Sequence, residues 1–430
     1  MSAGGEKYFW LIIILIIGTA LRFYHNTDIS LWHDEAFSAL LIKYPWGEMM
    51  SRIGLDVHPP MYYIFLRLWY YIFGDSLLSL RSFTVFFSVG TIWASWALVK
   101  EAFKNERAAL WTAVLIALNP FQLQYATEAR MYTMGAFFAV LGAYFLVKAL
   151  RHQRALHQDE NLHMPDLPAD INHKKKMLWH FFGFAFSMSV MIYTHYYMFF
   201  TAAALGFYGL LYLFFHHKWD FRKYIPLFIS FIAIGLSYLL WIKTFLFQYG
   251  QVSESYWIPK MDIWSIPTTL WQMFLGIGID ITNSTTQIQV AVASLFLLFV
   301  IYRFLRRSQS FEKWLVFLGI IAPFGGSILF LLLARLKDSE TSVFLVRYFL
   351  FTTAFLSITI AVWLSQIKIK WLAVSLFALY AAANLGTFYN YWSELDIKNK
   401  TGMAGASRYL TAMLNRSTNF ALAAVLCFLI

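Results

Sequence analysis

Most of the side chains able to do chemistry lie in short segments. The first reads Leu31-Trp32-His33-Asp34-Glu35-Ala36-Phe37, and the second Asp56-Val57-His58-Pro59-Pro60-Met61-Tyr62-Tyr63. The third reads Glu128-Ala129-Arg130-Met131-Tyr132. Carboxylates at the edge of a hydrophobic hollow can work as a general base or bind a cation. Pro59-Pro60 cannot continue a helix, which fixes Asp56 and His58 at a corner of the chain. Asp34 also has a plainer reading, as an acid in the first turn of a helix. Arg130 can grip a phosphate bidentately with its stem along lipid, or it can simply snorkel to the interface.

Two further places carry alternatives of the same kind. Tyr193-Thr194-His195-Tyr196-Tyr197 is either an aromatic belt with a passive histidine or part of a site. Arg347-Tyr348 opens an apolar run where an arginine is awkward, so it is either a phosphate ligand or half of a structural pair. Tyr256-Trp257-Ile258-Pro259 reads as an interfacial platform that stacks a sugar or only anchors the chain. His33 and His58 lack the close spacing and third ligand of a zinc site, so no metal is assigned, and any need for a divalent cation is left open.

The elements that position these residues follow from composition. The chain of 430 residues is 60% hydrophobic, 20% aromatic and 13% charged, against about 25% charged in a soluble domain. Lipid is its solvent. The expected fold is an all-α polytopic membrane protein. About eleven spans fall near 8–22, 80–99, 108–124, 131–149, 178–195, 198–215, 225–246, 286–303, 314–334, 345–365 and 370–388. The first run follows only Lys7 and lacks a small-residue cleavage site, so it is read as a retained helix. Residues 23–79 form a long first loop, in which Pro60 to Phe73 is too short to span and is expected to lie in the interface. Residues 150–177 read as a polar cytoplasmic loop. Residues 391–430 read as a short extracytoplasmic tail, with a truncated chain as the alternative. The single Cys427 excludes a disulfide framework or a cysteine metal cluster.

The charge of +11 has a topological explanation. With the N-terminus in the cytoplasm, every inner connection carries a basic cluster: Lys100, Lys104 and Arg107, then Lys148, Arg151, Arg154 and Lys174 to Lys176, then Lys218, Arg222 and Lys223. Arg303, Arg306, Arg307 and Lys313 follow, then Lys368 and Lys370. The positive-inside rule then puts the chemistry-bearing segments on the extracytoplasmic side of a plasma or inner membrane. No basic arm interleaves with loop aromatics, which sets nucleic acid aside. No Walker-type glycine-rich loop is present, which argues against nucleotide hydrolysis.

Taken together, the Trp32-His33-Asp34-Glu35, Asp56-Val57-His58-Pro59-Pro60 and Glu128-Ala129-Arg130-Met131-Tyr132 segments resemble the membrane glycosyltransferases of the GT-C superfamily. The similarity is to the branch of protein O-mannosyltransferases and lipid A aminoarabinose transferases. It covers roughly residues 8–390, strongly over the first 150 and weakly beyond. The resemblance implies transfer of a hexose or pentose from a polyprenyl-phosphate donor to an acceptor outside the cytoplasm, with inversion. It assigns the general base to Asp34 and the donor phosphate to Arg130 first and Arg347 second. Glu35, Asp56 and His58 would shape the acceptor site, and Tyr132, His195, Tyr196 and Tyr348 would contact sugar or lipid. The acceptor (protein, lipid or polysaccharide), the sugar and the oligomeric state stay open. Two competing classes are a transporter or flippase of a polyprenyl-linked glycan or lipid, and a non-catalytic assembly subunit. The first calls for ionisable groups at mid-membrane depth, whereas the helix centres here are nearly free of charge. The second would have lost Asp34, Glu35, Asp56 and Arg130.

Overall fold

The computed structural model describes residues 3–161, 168–254, 258–275, 281–336 and 342–395, and every regular element among them is a helix. Helix α1 (Ala3–Phe23) leads into the first loop, which holds α2 (His33–Leu41), α3 (Trp46–Leu55) and α4 (Met61–Phe73). The aromatic run expected as a non-spanning helix is α4. Its start follows from Pro60 at the N-cap, and its end from Gly74, whose positive φ of 78° an L side chain rarely adopts.

Next come α5 (Leu77–Phe103), α6 (Glu106–Leu118), α7 (Pro120–Ala126) and α8 (Tyr132–Asn161). Then follow α9 (Pro168–Ile192), α10 (Met198–His217), α11 (Ile225–Tyr238) and α12 (Ile242–Glu254). The chain continues through α13 (Ser265–Leu275), α14 (Ser284–Arg307), α15 (Lys313–Arg335), α16 (Leu350–Ser365) and α17 (Lys370–Leu395). Helices α5, α8 and α16 form the centre, with α6 against α5 and α16, and α9 alongside α8. Helix α16 is enclosed along most of its length, whereas α14 and α17 turn large apolar side chains such as Leu295, Phe296 and Leu379 outward. An apolar outer face of this kind is solvated by lipid. Helices α10 and α15 approach closely at Gly326, where even a β-carbon would stand 2.3 Å from the Phe200 ring.

Seven helices among the described residues are long and apolar enough to cross a membrane. The segments Phe221–Tyr238 and Ile242–Val252, bent by 73°, make an eighth if taken as one span. The protein is an integral membrane protein. The count of about eleven is not reached, for physical reasons that can be named. The run at 8–22 is a shorter apolar helix. The run at 108–124 is broken between α6 and α7 at Asn119-Pro120. The run at 178–195 is the apolar half of α9, whose other half carries Lys174 to Lys176. The segment 150–177 also differs from the expected polar loop. Helix α8 continues to Asn161 and α9 starts at Pro168, because the Ala, Leu, Arg, Gln and Lys in that stretch are good helix formers whether or not lipid surrounds them. Of the tail at 391–430, α17 takes the first residues, and 396–430 lie outside the described residues, as do Tyr256 and Trp257.

The break at Asn119-Pro120 creates a problem that Arg22 solves. Ile116 lies four residues before Pro120, whose nitrogen has no hydrogen to donate. Ala117 has lost its partner because the chain turns. The fully buried Arg22 donates from Nη2 to the Ile116 carbonyl at 3.2 Å and from Nη1 to that of Ala117 at 3.1 Å. Its Nε donates to Ser88 at 2.7 Å. Replacing it by leucine orphans these groups where no water replaces the bonds. Arg22→Leu is therefore expected to lose roughly 3 kcal/mol of stability. Thermal unfolding in detergent checks this: the midpoint should fall by several degrees, and an unchanged midpoint would refute the capping role.

Candidate active site

Helix α2 begins at His33, so Asp34 and Glu35 sit in its first turn, two acids where the helix dipole favours them. Adjacent residues on a helix point in different directions, and these two carboxylates have different surroundings. Glu35 is fully buried. Its Oε1 accepts from Arg81 Nε at 2.9 Å and from the Ala129 amide at 2.7 Å. Its Oε2 accepts from Arg81 Nη2 at 2.8 Å and from the Trp32 amide at 3.3 Å. Arg81 also donates to the carbonyls of Asn26, Ile29 and Ser30. One buried ion pair thus ties the first loop, the start of α5 and the α7–α8 connection together.

Asp34 points the other way and remains partly exposed. Its Oδ2 accepts from Arg347 Nη1 at 3.1 Å and lies 3.9 Å from Arg130 Nη2. Arg130, only 3% exposed, donates from Nη1 to the Asp34 carbonyl at 3.1 Å and to Ser38 Oγ at 3.2 Å. Two guanidinium groups from distant parts of the chain therefore meet at one carboxylate. Arg347 also lies over the Trp32 ring, 5.4 Å from its centroid.

The second segment closes on the same place. His58 Nδ1 is 3.0 Å from Asp56 Oδ2. Burial works to raise the Asp56 carboxyl, but His58, a bond to the Val57 amide and the Arg130 charge outweigh it, so its pKa lies below the usual carboxylate range. The Met61 amide donates to the Tyr193 carbonyl at 3.0 Å. That contact brings the loop against the α9–α10 link, where the His58 and His195 rings stand 5.5 Å apart. His195 in turn lies 4.5 Å from the Tyr348 ring and 6.0 Å from that of Tyr132.

Beside this cluster is a mainly apolar cavity of about 460 Å³. Its walls come from α10, α11, α12 and α15, and include Phe199, Tyr238, Phe245 and Phe330. His58, His195 and Tyr348, which belong to the cluster, also line it. Tyr196 also lines it, with its hydroxyl accepting from Trp241 Nε1 at 2.9 Å and bonded to Gln248.

The structure thus brings together Asp34, Asp56, His58, Arg130, Tyr132, His195, Arg347 and Tyr348, with Tyr196 on the cavity wall and Glu35 one layer beneath. Sequence reasoning passed over Arg81, Ser38 and Gln248. Arg81 carried a signal, since a lone arginine near the start of an otherwise apolar span needs a partner. Ser38 and Gln248 carried none.

Residues 57–158 match the family of dolichyl-phosphate-mannose-protein mannosyltransferases. An oligosaccharyltransferase of Archaeoglobus fulgidus, in its apo form, superposes with a TM-score of 0.56 at 15% identity, over 96% of this chain and 58% of its own. ArnT of Cupriavidus metallidurans bound to undecaprenyl phosphate superposes with a TM-score of 0.57 at 14% identity, over 88% of this chain and 63% of its own. This is the GT-C fold. The likeness to these solved structures is one of fold. The chain spans about three fifths of the length of the solved structures it matches. No curated protein sequence matches it. The segment shared with the mannosyltransferase family contains His58 and Arg130 and begins after Asp34.

Proposed function

We propose that this chain moves a sugar from a polyprenyl-phosphate carrier to an acceptor hydroxyl on the extracytoplasmic side, with inversion at the anomeric carbon. The observation that carries the reading is the meeting of Arg130 and Arg347 at Asp34, beside an apolar cavity. A polyprenyl-phosphate sugar is half lipid and half anion. The cavity suits its isoprenoid chain and the arginines its phosphate.

In the proposed step the acceptor oxygen attacks the anomeric carbon from the face opposite the phosphate. The bond from that carbon to the phosphate oxygen breaks, and the polyprenyl phosphate leaves with the electron pair. Asp34 takes the acceptor's proton. Arg347 neutralises the charge that develops on the leaving group. This inverts the order that the family resemblance suggests for the two arginines. Arg130 is the more deeply buried, and its Nη1 already holds the α2 backbone and Ser38. Arg347 donates to a carboxylate oxygen that a phosphate can replace. Arg130 then fixes Asp34, and Arg347 exchanges between Asp34 and the donor. Glu35 acts through the Arg81 pair as a positioning residue.

The test uses the full chain in liposomes, with a radiolabelled polyprenyl-phosphate hexose or pentose and a panel of acceptors. Release of polyprenyl phosphate, matched by labelled acceptor, is the expected result. Arg347→Met should lower the use of donor at least tenfold with little effect on acceptor KM. Movement of intact donor across the bilayer without covalent transfer would overturn the enzyme and favour a flippase.

A further inference from the structure

The tautomer of His195 can be read from its neighbours. The Tyr197 amide donates to His195 Nδ1 at 3.1 Å. A nitrogen that accepts carries no hydrogen, so in the neutral ring the proton is on Nε2. Burial, with His58, Arg130 and Arg347 nearby, holds the His195 pKa well below the ordinary value, so the ring is neutral. The Nε2–H is therefore a donor. It is buried, and it has no hydrogen-bond partner among the described residues. His195 is 6% exposed and lines the cavity, in an aromatic box with Tyr132, Tyr197 and Tyr348.

A buried donor without an acceptor is unfavourable by about 1–3 kcal/mol, so such a group in a ligand-sized cavity has a use in a complex. The ring is held in place by the Tyr197 amide and by aromatic neighbours that meet it at an angle, and its unpartnered Nε2–H has one role to fill. Pure apolar lining would serve the isoprenoid chain alone. A donor on a residue that lines the cavity, within electrostatic reach of Arg130 and Arg347, suits an anionic oxygen.

We infer that His195 is a donor-binding residue whose Nε2–H hydrogen-bonds a phosphate oxygen of the polyprenyl carrier, giving the site a neutral contact that distinguishes phosphate from alcohol. The inference rests on the proposed use of a polyprenyl-phosphate donor. It requires no protonation of His195 and no step in the transfer itself. A neutral donor adds specificity without adding a third positive charge to a pocket that already holds two, so release of the carrier after transfer stays fast.

The experiment compares binding of a polyprenyl monophosphate with binding of the matching polyprenol, by the full chain in nanodiscs. The wild type should prefer the phosphate. His195→Phe keeps the aromatic shape and removes the donor, and should cut that preference roughly ten- to a hundredfold. His195→Gln places an amide nitrogen near the Nε2 position and should keep most of it. His195→Asn places one near Nδ1 and should not. If His195→Phe fails to fold, as judged by thermal unfolding, the Gln-over-Asn order still decides. An unchanged phosphate preference in His195→Phe, or equal behaviour of Gln and Asn, overturns the inference. A loss seen only with the glycosylated carrier overturns the phosphate assignment and moves the contact to a sugar oxygen. A wild type that prefers neither lipid overturns the proposed donor instead.

Discussion

Asp34→Asn is expected to abolish most sugar transfer while leaving binding of the lipid carrier intact. The amide matches the carboxylate in shape, so α2 and the Arg130 contact to the Asp34 carbonyl should persist. What the amide cannot do is take a proton. A positioned general base contributes about 10²–10⁴-fold, so single-turnover transfer should fall on the order of a thousandfold. Carrier binding should hold or tighten, because Arg347 no longer has an anion in its place. Single-turnover assays alongside lipid binding separate the two effects. Transfer within threefold of wild type would remove Asp34 as the base. A parallel loss of binding would turn it into a structural residue.

Asp34 Oδ2 is held by Arg347 and lies near Arg130, so it must be released before it can take a proton. The contact to Arg347 is a single bond from Nη1, and the distance to Arg130 Nη2 is 3.9 Å. An arriving phosphate carries more charge than the carboxylate and offers more oxygens. In the proposed step Arg347 then turns from Asp34 to the donor, and the Asp34 oxygen is freed only when the donor is in place. This order of events suppresses hydrolysis by stray water. It also predicts that Arg347→Met leaves the Asp34 oxygen free in an enzyme that binds donor poorly.

How far the sequence disclosed this site depends on the range of the interactions. The segments around Asp34, Asp56 and Arg130 were legible, because titratable groups stand out in an apolar chain. Their convergence was legible only through resemblance. Asp34 and Arg347 are 313 positions apart, and no local periodicity reports a contact at that distance. That Arg130 is the more deeply buried of the two arginines was not legible, since packing sets it. Nor was Glu35, which sits beside Asp34 in sequence and behaves differently because the helix turns it toward Arg81. The helical class and most of the spans followed from composition and hydropathy, but their count did not. Hydropathy registers apolar length, and it does not register that Pro120 divides one run or that Lys174 to Lys176 continue a helix beyond another.

Glu35→Gln is expected to produce the largest loss of stability of any single substitution in the site. The Glu35 carboxylate accepts four hydrogen bonds, two from Arg81 and two from the amides of Ala129 and Trp32. Glutamine replaces one oxygen by a nitrogen that donates, so a donor faces a donor on at least one side. The charge of Arg81, only 3% exposed, is left unbalanced. Breaking a buried pair from one side is unfavourable by about 3–5 kcal/mol, and the thermal midpoint in detergent should fall accordingly. Glu35→Leu combined with Arg81→Met should be less damaging than the sum of the two single changes, because neither charge is then stranded. The recovery will be partial, since the carbonyls of Asn26, Ile29 and Ser30 lose Arg81 as well. If the double variant is stable but Asp34 no longer meets Arg130, transfer stays low while unfolding returns toward normal. That outcome separates a pair that holds the site's geometry from one that merely holds the fold. A midpoint unchanged in Glu35→Gln would show that Arg81 is satisfied by the loop carbonyls alone.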